Sequence, residues 1–229
     1  MYYKTGSGDF LLLTLTEGVG EFKLGNGAKA EFILPVDYKV TVIPKPGANT
    51  IERFDYNYSV AITNGGSAVT VQPQTVELNK MLDYVFTNTY AIQTTPLTIN
   101  TTIFTNFTDG TKAEKGGTVL YRIKGVSGDL LTQHIDLQVS AKSNSDGSIA
   151  PVTINGLPVG NYTVTQEKAW IWRYTLRTVD SNVTNPTLTD NKLSFTLPKQ
   201  DGNCLTFNDE ITYNKWVDGN SYKQNKFDS

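Results

Sequence analysis

Apolar residues recur at every second position along most of this chain. The segments 38–43 (YKVTVI), 118–123 (TVLYRI), 134–141 (HIDLQVSA), 161–165 (NYTVT) and 193–197 (LSFTL) alternate in this way, and 10–16 (FLLLTLT) passes from an apolar run into alternation. Successive side chains of an extended strand point to opposite faces, so this pattern predicts half-buried β-strands. It leaves no room for a long amphipathic helix; 77–84 (ELNKMLDY), of mixed character, admits a short helical or irregular insert and is read mostly as strand. Turn signals punctuate the strands: Gly25-Asn26-Gly27, Asn64-Gly65-Gly66, Asp109-Gly110, Gly116-Gly117, Asp146-Gly147, Asn155-Gly156 and Asp201-Gly202. Asn-Gly and Asp-Gly supply the positive φ angles of tight hairpins. Many short strands with such punctuation predict an all-β, antiparallel sandwich architecture.

The chain has 229 residues. Domains of about 100–150 residues are the usual size, so two tandem modules are expected. Residues 1–92 form the first and 97–213 the second, joined through 91–96 (AIQTTP), where Pro96 favours an extended approach. Residues 214–229 are polar and read as a linker toward a further part of a parent protein. A weak internal repeat supports the division. Residues 31–41 contain a strand, Leu34-Pro35-Val36, then Tyr38-Lys39-Val40-Thr41; residues 152–165 contain a strand, Leu157-Pro158-Val159, then Tyr162-Thr163-Val164-Thr165. The opening Met-Tyr-Tyr-Lys lacks the apolar core of a secretion signal, and the far end shows neither a sorting motif nor a hydrophobic tail. The chain is therefore expected to be a fragment of a longer protein.

Charge narrows the partners. Twenty basic and 22 acidic residues give a net charge of −2, which argues against the basic face of a nucleic-acid binder and against a polybasic membrane patch. No apolar run is long enough to span a bilayer. The single cysteine, Cys204, cannot form an intramolecular disulfide and is expected to be a small buried apolar residue.

Enzyme chemistry finds little to work with. His134 is the one histidine, read at an edge or surface position of an alternating strand. One histidine and one cysteine do not furnish a zinc site. There is no phosphate-binding glycine loop and no nucleophile elbow; the run 124–129 (KGVSGD) is read as a loop. Residues 144–147 (NSDG) resemble the start of a calcium loop but lack its distal acid, so a hairpin turn is expected. No cofactor and no metal site are expected, and the chain is read as non-enzymatic. Trp170, Trp172 and Tyr174 alternate with Ile171 and Arg173, which puts all three on one face of a strand. That face either packs into the core or offers an aromatic platform to a sugar or a partner chain.

The run Gly156-Leu157-Pro158-Val159-Gly160-Asn161-Tyr162-Thr163-Val164-Thr165, then Trp170-x-Trp172-Arg173-Tyr174-Thr175 and the closing Leu205-Thr206-Phe207, resembles the B-type repeat domains of collagen adhesin and related surface and pilus proteins of Gram-positive bacteria. The resemblance covers 97–227, with weaker signatures over 10–90. It implies a prealbumin-like or immunoglobulin-like β-sandwich acting as a spacer in a stalk or fibre. Low cysteine content suits such proteins.

The same resemblance implies an intramolecular isopeptide bond in many members. A lysine on the first strand joins an asparagine or aspartate on the last, assisted by a buried acid from the middle of the domain. Burial is what makes the amine nucleophilic, because desolvation lowers its pKa. Carried onto this sequence, the acceptor of the second module is Asp209, or Asn208 in a slipped register. The acid position holds Gln166, with Glu167 one residue off, and the lysine position holds Asn100 or Thr101. In the first module Lys4 and Asn88 stand as donor and acceptor, but Val42 occupies the acid position. The triad is thus broken in both modules.

The function expected from these residues is a stalk or spacer module of a cell-surface or pilus-like adhesin. One alternative is an adhesin domain that itself binds a host matrix protein or a glycan; another is an accessory domain of a secreted carbohydrate-active enzyme. The chain is expected to be extracellular, cell-wall-anchored or secreted. It is expected to be monomeric, and to neighbour other modules of its parent chain.

Overall fold

A computed structural model describes residues 1–45, 47–104, 118–145, 148–167 and 174–211. Alternation has produced strands throughout, and no helix occurs among the described residues. The chain divides into two compact units. The first comprises Met1–Ile51 and Tyr56–Tyr90; the second comprises Glu52–Asp55 and Ala91–Ser229. A four-residue piece from the middle of the first unit's sequence therefore belongs to the second.

The first unit holds six short strands, β1 (Tyr2–Thr5), β2 (Leu11–Leu12), β3 (Ala30–Ile33), β4 (Lys39–Val40), β6 (Ser67–Val69) and β7 (Gln74–Thr75), and most of two 11-residue strands, β5 (Phe54–Asn64) and β8 (Leu82–Ile92). They form sheets in the orders β2-β1-β3, β4-β7 and β6-β5-β8. Tyr3 stacks on Phe32 at 5.9 Å between ring centroids, and Phe22 meets Phe32 edge-on at 4.8 Å. The β5–β6 hairpin closes through Gly65 and Gly66, at φ of 55° and 85°, with Asn64 opposite Ser67. Two consecutive positive φ angles are what Asn-Gly-Gly predicted.

Several strand expectations shrink here. Alternation over 38–43 yields only Lys39–Val40, because its partner β7 is two residues long. Beyond it the Val42 amide donates to the Gln72 side chain at 2.8 Å rather than to a ladder carbonyl. The run 10–16 pairs only at Leu11–Leu12. Residues 77–81 turn instead of extending, with Asn79 at φ 60°, and the strand starts at Leu82.

The second unit is a two-sheet sandwich. Its strands are β9 (Thr94–Phe104), β10 (Thr118–Gly125), β11 (Asp136–Lys142), β12 (Val152–Pro158), β13 (Gly160–Gln166), β14 (Tyr174–Ser181), β15 (Thr184–Thr189), β16 (Lys192–Leu197) and β17 (Asn203–Ile211). One sheet runs β11-β10-β13-β16-β15 and the other β12-β9-β17-β14. The inward positions of β10, β13 and β16 (Tyr121, Ile123, Tyr162, Val164, Leu193 and Phe195) face those of β9 and β17 (Leu97, Ile99, Leu205 and Phe207) in one buried cluster. Burial of each such side chain contributes about 1.5–3 kcal/mol.

Among the described residues, all strand pairings of this unit are antiparallel except one. The first and last strands, β9 and β17, run parallel from Leu97↔Asn203 to Phe104↔Glu210. Asn155-Gly156 is not a hairpin turn: Gly156, at φ 73°, lies inside β12 where the register to β9 shifts, which is a bulge. Asp201-Gly202 links β16 to β17 across the two sheets. His134 is exposed but sits in the turn before β11 rather than on the strand. Cys204 is half-buried, not buried. Alternation sends Asn203, Leu205 and Phe207 into the core and leaves Cys204 on the other face, where its Sγ accepts a hydrogen bond from Asn100 Nδ2 at 3.0 Å. Among the described residues no helix is long and apolar enough to cross a membrane.

Candidate functional site

Four buried polar side chains gather in one part of the second unit's core. Thr101 extends the inward row Leu97, Ile99 on β9; Tyr121 lies on β10; Gln166 ends β13; Asp209 lies near the end of β17. The registers bring them to one end of the sandwich. Tyr121 is opposite Gln166, Thr101 is opposite Phe207, and Ile103 is opposite Asp209. All four are buried, Asp209 and Tyr121 to 0 % exposure.

The hydrogen bonds leave one group short. Thr101 Oγ1 and the Tyr121 hydroxyl lie 2.7 Å apart. Gln166 Nε2 donates to Asp209 Oδ2 at 2.7 Å. Asp209 Oδ1 is buried without a hydrogen-bond partner, and among the described residues no cation forms an ion pair with this carboxylate. Burial pushes the Asp209 carboxyl up to about 6, against a smaller lowering by the Gln166 bond. Burial also raises the Tyr121 hydroxyl, helped by the nearby Asp209 charge. This site holds a proton on a core carboxyl well above the usual carboxylate range.

Three of the positions carried over from the family resemblance meet here. Asp209 is at the acceptor position, Gln166 at the acid position and Thr101 at the lysine position. Asn100, the other candidate for the lysine position, instead bonds Cys204 and, at 3.4 Å, Thr206 Oγ1. Glu167 is half-buried one residue beyond Gln166, with its amide donating to Leu120 O. Gln166 and Asp209 are hydrogen-bonded to each other and Thr101 to Tyr121, and none of these residues is a lysine. In the first unit Lys4 forms an ion pair with Glu31 at 2.9 Å and lies 5.0 Å from the Phe10 ring centroid, whereas Asn88 Oδ1 accepts from the Tyr56 hydroxyl at 2.9 Å. These two residues occupy different sheets and have different partners. Intact mass spectrometry of the purified chain is expected to give the full sequence mass. A deficit of one water or one ammonia would overturn the reading of both sites as uncrosslinked.

Trp170 and Trp172 lie outside the described residues. Tyr174 opens β14, with its backbone opposite Ile211. Among the described residues no group of three or more His, Cys, Asp and Glu is placed to hold a metal ion.

One feature was not anticipated from the sequence. The loop after β10 presents Asp129, 8 % exposed, to Arg53. These residues are 76 apart in sequence, and no periodic pattern signals such a pair.

No protein-family model matches the chain, and no curated protein matches it. Solved structures do. The minor pilin of Streptococcus agalactiae is 13% identical over 74% of this chain, with a TM-score of 0.33. The match spans 65% of that pilin, just under two thirds of its length. The major pilin of Streptococcus pyogenes is 16% identical over 82% of this chain and 78% of its own, with a TM-score of 0.35. A pilus-presented adhesin is 16% identical over 61% of this chain and 38% of its own, with a TM-score of 0.30.

Proposed function

We propose that this chain is a non-enzymatic, load-bearing spacer of a bacterial cell-surface or pilus-like fibre, placed outside the cell beside further modules of its parent protein. The observation behind this reading is the parallel pairing of β9 and β17. In the second unit these are the strand that follows the linker and the last described strand. Because they run in the same direction, the start of β9 and the end of β17 lie at opposite ends of the sandwich. Tension applied there slides the two strands past each other, and every hydrogen bond between them must fail together. Antiparallel terminal strands would bring both attachment points to one end, where the bonds break one at a time.

The buried contacts of the two strands add to this. Leu97, Ile99, Leu205 and Phe207 all sit at 0 % exposure, so sliding also drags apolar side chains out of register with the facing sheet. A polar core site held by neutral partners and the small net charge fit a structural role better than catalysis.

Single-molecule force spectroscopy tests the reading. The second unit should resist clearly higher force when pulled from the start of β9 and the end of β17 than when pulled from Leu97 and Asn203, which are paired neighbours and would unzip. Equal forces in the two geometries would remove the mechanical argument.

A further inference from the structure

We propose that the second unit contains a receptor cradle for an arginine-x-aspartate segment, filled in this chain by Arg53-Phe54-Asp55, and that a free guanidinium group can re-occupy it once Arg53 is cut back. This inference is independent of the spacer reading.

The cradle is built before the arginine is considered. The loop between β10 and β11 is held by its own backbone bonds, Asp129 N to Val126 O at 3.1 Å and Gln133 N to Asp129 O at 2.8 Å. Asp129 Oδ1 accepts from the Leu131 amide at 3.2 Å, and Oδ2 accepts from the Asn161 amide at 3.0 Å and from Asn161 Nδ2 at 3.3 Å. Asn161 is fixed in turn by Thr196 Oγ1, which donates to its Oδ1 at 2.8 Å, and by Thr132 Oγ1, which donates to its backbone oxygen at 3.0 Å. Three hydrogen bonds from Leu131 and Asn161 thus orient the carboxylate independently of the bonds from Arg53.

Arg53 completes the site. Its Nη1 lies 2.8 Å from both Asp129 oxygens. Gly160 provides the space: a Cβ there would lie 2.7 Å from Asp129 Oδ2 and 2.8 Å from Arg53 Nη1. The rest of the segment is held at matching points. Gln93 N donates to Arg53 O at 2.9 Å, and Gln93 Nε2 donates to Asp55 Oδ1 at 3.0 Å and to Phe54 O at 3.4 Å. Lys199 forms an ion pair with Asp55. The segment is thus held through two side chains and two backbone oxygens, and a cleft of about 740 Å3 stays open beside it.

The local backbone shows which interaction dominates. Arg53 sits at φ 64°, a left-handed conformation that is strained for a residue other than glycine. The chain accepts that strain while the guanidinium is docked. If Arg53 were only a turn residue, glycine in its place would relieve the strain and stabilise the protein. If it fills a receptor, glycine removes the cation from a buried carboxylate, and the loss exceeds the relief.

The experiment uses the full chain as wild type, Arg53→Gly and Arg53→Gly/Asp129→Asn. Thermal unfolding is followed by tryptophan fluorescence, since Trp170, Trp172 and Trp216 all fall in the chain range of the second unit. Arg53→Gly is expected to lower the midpoint by about 5–10 °C. Millimolar guanidinium chloride, against equal sodium chloride and urea, should raise that midpoint in the single variant alone. Should Arg53→Gly not fold, Arg53→Gly/Asp129→Asn is expected to fold again, because no buried charge is then left unpaired. The proposal is overturned by an Arg53→Gly chain as stable as wild type. It is equally overturned by a folded single variant that guanidinium does not restore, or by a double variant that fails to recover an unfolded single one.

Discussion

Asp209→Asn is expected to stabilise the second unit at pH 8 and to abolish its pH dependence between about 4 and 6. The folded carboxyl keeps its proton up to about pH 6, whereas the ordinary value is 3.8. Between these values the folded state binds more protons than the unfolded one, so stability falls as pH rises through the window and is level above it. The full difference corresponds to about 3 kcal/mol. Asparagine matches the shape of the carboxyl, carries no charge to desolvate, and offers an oxygen to Gln166 Nε2. Its amide nitrogen would lie where Asp209 Oδ1 has no partner now, which returns about 1 kcal/mol. The expected net gain at pH 8 is about 2 kcal/mol, or a midpoint rise of about 4–8 °C for a unit of this size. At pH 4 the variant should match wild type or fall slightly below it. Calorimetry across pH 4–8 measures both arms. A wild type whose stability is level from pH 4 to 6.5, or a variant less stable than wild type at pH 8, would refute the description of Asp209 as an uncompensated core carboxyl.

What the sequence made legible follows from what is local. Period-two alternation marked β10, β13 and β16, because each has partners on both sides and buries one whole face. It overstated the strands of the first unit. Residues 38–43 alternate as well as residues 161–165 do, but β7 offers only Gln74–Thr75 to pair with, and a strand needs a partner as well as a pattern. Gly65-Gly66 was readable because turn chemistry is contained in adjacent residues. Asn155-Gly156 was misread because a bulge uses the same residue types as a hairpin.

The candidate site was legible in part. The positions of Asp209 and Gln166 came from the family resemblance. Their meeting at 2.7 Å depends on sheet order, since β13 and β17 lie in different sheets and nothing in either strand names the other. Alternation does decide between Asn100 and Thr101: Thr101 shares the parity of Leu97 and Ile99, so it faces the core. The Arg53–Asp129 pair left no trace in any window of sequence, because its two halves belong to a turn and a loop that only the tertiary fold brings together.

Thr101, Gln166 and Asp209 are buried at one end of the same core, so a lysine introduced beside Asp209 together with a second carboxyl group is expected to form a bond to it. The chain carrying Thr101→Lys and Gln166→Glu is expected to crosslink itself through Asp209 and to be lighter by one water. Thr101 is 9 % exposed and opposite Phe207, two residues along the strand from the pairing of Ile103 with Asp209, so a lysine side chain placed there extends into the buried cluster. Burial favours its neutral amine, and burial already favours the protonated, uncharged form of the Asp209 carboxyl. The amine nitrogen attacks the carboxyl carbon, the C–N bond forms and a C–O bond breaks. The acid at 166 takes a proton from the nitrogen and returns one to the departing hydroxyl, which leaves as water. The link would join residues 101 and 209 across β9 and β17, the two strands that bear the load in the proposed function. By the chain-entropy reasoning used for disulfides, closing a loop of that length stabilises by about 4–5 kcal/mol. The Thr101→Lys change alone lacks the proton carrier and should react far more slowly. Adding Asp209→Ala to the double variant should return the full mass. If the double variant folds, with its tryptophan emission unchanged from wild type, and keeps its full mass on prolonged incubation, then Thr101, Gln166 and Asp209 share a core without sharing the geometry of a reaction.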